Sequence, residues 1–140
     1  MNNEPIYRND KTGFITYMRP LTNKIYYKIK NETAAIIDID DNWKMKAEVV
    51  NPFAFNTPIF SLPEDWAEKK IVALSPRNMD RILKTFKVDR YDTAEMLYKT
   101  RGIEYVRDDW FAWAEDDKIE DYHPRYNPEL DNCKIVEDDD

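Results

Sequence analysis

The sequence predicts an α+β fold: an N-terminal antiparallel β-meander packed by two short helices, followed by an acidic C-terminal arm. Three observations carry the prediction. Between residues 14 and 49, short segments alternate apolar and polar side chains with a period of two, and polar turn residues separate them. From residue 75 the apolar spacing changes to i, i+3, i+4, i+7, the period of a helix face. Finally, residues 115–140 hold eleven acids against three bases, so the whole of the formal −7 charge arises at one end. Residues 1–114 carry 17 acids and 18 bases and read as one α+β domain, with 115–140 as the arm.

The elements follow in order. Phe14 to Met18 is β-prone, and Arg19 to Asn23 supplies turn chemistry. The next segment places Ile25, Tyr27 and Ile29 on one face and Lys24, Tyr26, Lys28 and Lys30 on the other, as in a strand with one wet face. Asn31 to Thr33 turns the chain into Ala34–Ile39, whose apolar run suits a central strand. Asp40 to Asn42 turns it again. Trp43, Met45, Ala47 and Val49 then face inward, with Lys44, Lys46 and Glu48 outward. Residues 51–66 are punctuated by Pro52, Pro58 and Pro63 among Phe53, Phe55, Phe60, Leu62 and Trp66, which predicts an irregular connector packed across the open side of the sheet. Lys70 to Leu74 reads as one further strand.

Ser75 and Pro76 form a helix start, with Met79, Ile82, Leu83 and Phe86 as the apolar stripe and Arg77, Arg81 and Lys84 opposite it. Asp92 with Glu95 resembles a capping box for a second short helix through Ala94, Leu97 and Tyr98, which Gly102 ends. Residues 103–106 and 110–113 then read as a closing hairpin, with a third helix through Trp110 and Trp113 as the competing reading. The arm beyond is expected to drape over the body or to be partly disordered. Its apolar anchors are few, among them Ile119, Tyr122 and Tyr126.

Composition excludes several classes of chemistry. Only Gly13 and Gly102 are present, so no glycine-rich loop wraps phosphates. His123 and Cys133 are each the sole residue of their type, too few for a thiolate or imidazole zinc site. Ser61 and Ser75 lack a nucleophile-elbow context. A lone cysteine, with no apolar run of membrane-spanning length, predicts a cytoplasmic protein without intrachain disulfides. No cofactor and no catalytic residue is assigned.

Three functional readings compete. The leading one is a small non-enzymatic binding protein, in the style of phage and mobile-element accessory proteins. Its carboxylates would stand in for phosphates and inhibit or regulate a nucleic-acid-handling protein that has a basic groove. Its partner-binding residues are Asp108, Asp109, Trp110, Trp113, Glu115, Asp116, Asp117, Glu120, Asp121 and Tyr122, with the tryptophans as apolar anchors. The first alternative is a nucleic-acid-binding module using Lys28, Lys30, Lys44, Lys46, Arg77, Arg81 and Lys84, restrained by its own acidic tail. The second is a magnesium-dependent hydrolase built on Asp38, Asp40 and Glu68. Asp38 to Asp41 also makes a good hairpin turn, which is the more economical account of those carboxylates.

Overall fold

The computed structural model describes residues 4–74, 91–104 and 106–129. The stripe and the bases read on 75–90, together with Cys133 and the end of the arm, lie outside the described residues. Among the described residues, two antiparallel sheets and two helices make the α+β architecture expected from the alternation.

The chain begins with a hairpin, β1 (Tyr7–Asn9) and β2 (Phe14–Thr16). Asn9 closes its turn by accepting the Lys11 and Thr12 amides, and Gly13 takes the left-handed backbone (φ 89°) that the turn needs. β1 lies in a polar stretch to which the sequence pattern assigns no element, and its pairing removes β2 from the meander. The main sheet has the order β5–β4–β3–β6, with β3 at Lys24–Ile29, β4 at Glu32–Ile39, β5 at Met45–Val49 and β6 at Asp109–Ala112. β3, β4 and β5 form the predicted meander. The fourth strand is β6, which pairs antiparallel with β3 (Tyr26 opposite Ala112, Lys28 opposite Trp110). The expected closing hairpin with 103–106 is therefore replaced by a pairing across some eighty residues of sequence. Trp43 precedes β5 rather than opening it. It sits in the turn at φ 66°, buried, with its Nε1 donating to the Met18 carbonyl at 2.8 Å.

α1 (Trp66–Ala73) occupies the segment expected to add a strand. Its Ala67, Ile71 and Leu74 recur at helical spacing and bury against the sheet, which overrides the local β-propensity of Ile71 and Val72. Preceding it, the proline-rich connector is irregular apart from a 3₁₀ turn at Pro52–Ala54. α2 (Thr93–Thr100) has the predicted cap, with Asp92 accepting the Glu95 amide at 3.0 Å. Arg101 and Gly102 end it in the left-handed region. A Cβ at Gly102 would lie 2.9 Å from the Phe111 ring, so the close approach of chain and core requires glycine there.

Ile25, Tyr27, Ile37 and Phe111 line the inner face of the sheet and meet Phe14, Trp43, α1 and α2 in the main core. The outer face has a second, smaller core. Trp110 and Ala112 of β6 pack there with Ile119, bordered by Tyr26, Ile103, Tyr122 and Tyr126. The alternation in Trp110–Trp113 is thus resolved as a strand, with Trp110 and Ala112 to one side and Phe111 to the other.

A candidate acidic interface

The second core exists because residues 115–129 fold back over the outer face of β3 and β6. Apolar contact alone does not hold them. Lys28, read as a solvated lysine, is 2% exposed, and its Nζ donates to the Glu115 carbonyl at 2.8 Å and the Asp117 carbonyl at 2.5 Å. Burial lowers its pKa below the ordinary 10.5, while the charges of Asp117, Asp116 and Glu115 act in the opposite direction. Asn31, in the β3–β4 turn, accepts the Ile119 amide at 2.6 Å and donates to the Glu120 carboxylate at 3.1 Å. That bond is the chief cause holding Glu120 below the usual carboxylate range. His123 is fully buried. Its Nδ1 accepts the Arg125 amide, which leaves Nε2 to donate to the Arg107 carbonyl at 2.8 Å.

The ten residues read as partner-binding divide into two groups. Six are tied to other parts of the fold and are buried or half-buried. Trp110 is 0% exposed with its Nε1 bonded to the Lys30 carbonyl, which corrects its reading as a surface anchor. Asp109 accepts from Tyr27 Oη at 2.7 Å and from Arg107 Nε and Nη2 at 3.0 and 3.1 Å, with Lys70 Nζ at 3.5 Å. Burial works to raise its pKa, but these donors outweigh it and hold the carboxyl below the usual range. Asp117 accepts the Trp113 and Ala114 amides and the Arg101 guanidinium. Asp108 accepts from Arg125 and Tyr126. Tyr122 and Trp113 are half-buried, and Arg101 lies over their rings at 3.9 and 4.8 Å. The second group faces solvent: Glu115, Asp116, Glu120 and Asp121, two on either side of exposed Lys118.

The residues that position this surface, Lys28, Asn31, Arg101 and His123, were absent from the predicted set. The alternation did place Lys28 beside Tyr26 on the outer face of β3. What covers that face lies about ninety residues further along the chain.

The alternative sites fare differently: Lys30, Lys44 and Lys46 of the basic face stay exposed, whereas the three carboxylates of the hydrolase reading are engaged separately. Burial of Lys28 removes it from the proposed basic face, and Arg77, Arg81 and Lys84 lie outside the described residues. Asp40 caps its own turn by accepting the Asn42 and Lys44 amides, and Asp38 pairs with Lys24 at 3.5 Å. Glu68 is committed elsewhere, accepting from Tyr7, Asn9 and Thr12 to fasten the β1–β2 hairpin to α1. Among the described residues no group of three potential metal ligands is brought together. None of the described helices is long and apolar enough to cross a membrane. Comparison of the chain with protein-family models, curated proteins and solved structures finds no match.

Tyr27 gives this region a distinct alkaline response. Burial first, then the charge and hydrogen bond of Asp109, raise its phenol well above the ordinary 10.0, against a smaller opposing effect of Arg107. A proton held more tightly in the folded than in the unfolded chain contributes stability that is complete below about pH 10 and lost as pH rises beyond it. Tyrosinate absorbance from Tyr27 is therefore expected only together with loss of far-ultraviolet dichroism. Its ionisation in the folded protein near pH 10, isolated by comparison with Tyr27→Phe, contradicts the expectation.

Proposed function

We infer that the protein is a non-enzymatic binding protein whose acidic surface occupies the basic groove of a nucleic-acid-handling protein. One observation carries the reading. Glu115, Asp116, Glu120 and Asp121 are exposed, and the segment bearing them is fastened to the sheet through Lys28, Asn31 and His123. A disordered acidic tail would pay the entropy of ordering when it binds. Carboxylates already held on a folded surface avoid much of that cost and present fixed charge, as phosphates do on a duplex. Trp113, half-buried under Arg101, supplies an apolar flank.

The test is a fourfold neutralisation, Glu115→Gln, Asp116→Asn, Glu120→Gln and Asp121→Asn. The wild-type chain is expected to retain a DNA- or RNA-binding protein from lysate at low salt, to release it as salt rises, and to compete with nucleic acid for it. The neutralised chain should fold normally and lose about tenfold or more in that affinity, given the modest value of each exposed pair. Salt-independent capture, or capture unchanged by the four substitutions, would remove the basis for the reading.

A further inference from the structure

Among the described residues, β5 is an edge strand with one unpaired side. The register of β4 with β5 places Asp38 opposite Lys46 and Ile36 opposite Glu48. Bonds from the Asp40 amide to the Lys44 carbonyl, and from the Val50 amide to the Ala34 carbonyl, fix which residues turn their backbone toward β4. They are Lys44, Lys46, Glu48 and Val50. Met45, Ala47 and Val49 therefore direct their N–H and C=O groups away from the sheet. No hydrogen bond within the described residues takes up those three amides. A cleft of about 670 Å³ adjoins this strand, lined by Met45, Lys46 and Ala47 together with Asp38 and Ile39 of β4 and Leu62 to Glu64 of the connector.

We propose that this edge is an interface between two copies of the chain, formed by antiparallel pairing of β5 with β5 about a twofold axis through Ala47. In that register the outward backbone groups meet as Ala47 with Ala47, Met45 with Val49 and Val49 with Met45. These are three hydrogen-bonded pairs, each exchanging two bonds. Their inward side chains are apolar on both copies. On the outer face, Lys46 falls directly opposite the second copy's Glu48, and Glu48 opposite its Lys46. Both are non-hydrogen-bonded positions, where side chains approach most closely. Both residues are exposed, and neither makes an ion pair within the described residues.

The neighbouring registers are poorer in charge. Moving the axis to Glu48 sets Glu48 against Glu48, moving it to Met45 sets Lys44 against Lys46, and moving it to Lys46 sets Lys46 against Lys46 between two Lys44–Glu48 pairs. The register about Ala47 is thus the one of these four with opposite charges paired and no like charges opposed. Lysine on an edge strand usually discourages pairing. A lysine followed two residues later by a glutamate, centred on a small apolar residue, is instead self-complementary in one register. The result is a continuous eight-stranded sheet, β6–β3–β4–β5 joined to its twofold mate.

Sedimentation of the full chain tests this. The wild type is expected to move, with rising concentration, from the 16.8 kDa chain mass to twice that value. Lys46→Glu and Glu48→Lys, each checked for its fold by circular dichroism, should each weaken self-association by about a factor of ten or more, because two attractive pairs become two repulsive ones. Mixing the two variants should restore a one-to-one dimer, since each then presents what the other lacks. Ala47→Pro, which removes the axial N–H at a position where an edge strand tolerates proline, should also leave a folded monomer. The proposal is overturned by any of three results: a wild type that stays monomeric, including one that binds another protein's strand at this edge; a dimer that survives the single reversals; or a mixture that remains monomeric.

Discussion

Lys28→Met is expected to destabilise the protein by about 3 kcal/mol and to release residues 115–129 from the sheet. Two effects oppose each other at this position. Burying an amine costs desolvation, which is why its pKa is lowered, and methionine would fill much the same volume without that cost. Against this, the partners of Lys28 are the backbone carbonyls of Glu115 and Asp117, which no substitution can remove. Each carbonyl left unsatisfied in a buried site costs roughly 1–3 kcal/mol, so the loss outweighs the relief. The chain's escape is to lift the segment into water. Faster hydrogen exchange is then expected at the amides of Tyr122 and His123, which donate to the Ile119 carbonyl at 3.0 and 2.8 Å. Normal protection there, with unchanged or raised stability, would mean that packing of Ile119 and Tyr122 on Trp110 is sufficient to hold the segment.

Asp92→Ala is expected to cost more, about 4 kcal/mol, because the side chain serves three donors at once. Its Oδ1 accepts the Thr16 hydroxyl at 2.7 Å and the Glu95 amide at 3.0 Å, and its Oδ2 accepts the Tyr17 amide at 2.8 Å. The residue is 3% exposed, so water cannot readily replace it. One carboxylate thus caps α2 and ties that helix to the end of β2. Loss of the cap alone would account for about 1 kcal/mol. A measured cost near that value would show that the bonds to β2 contribute little. Asp92→Asn, which can still accept at one oxygen, should recover part of the loss.

Local patterns made some of this legible. The period-two runs of Ile25–Ile29 and Met45–Val49, the turn chemistry of Asp40, and the Asp92 cap with Gly102 at the far end of α2 are all decided by neighbours within a few residues. Where the reading failed, a distant segment had overruled the local one. Ile71 and Val72 are β-prone, yet the sheet needed a helix across its inner face. Trp110 and Lys28 looked like surface residues because what covers them is the acidic stretch itself.

Sequence by itself therefore determined the α+β class, the meander, the cap of α2 and the concentration of acid at one end. These depend on propensity, periodicity and charge count, all short-range or additive properties. Only the tertiary structure decided that β6 pairs with β3, that Lys28 is buried as a strut, and that part of the acidic stretch is a folded surface. Each of those outcomes depends on which groups lose water together. That is settled by contacts between residues some eighty to ninety positions apart, and no local pattern encodes it.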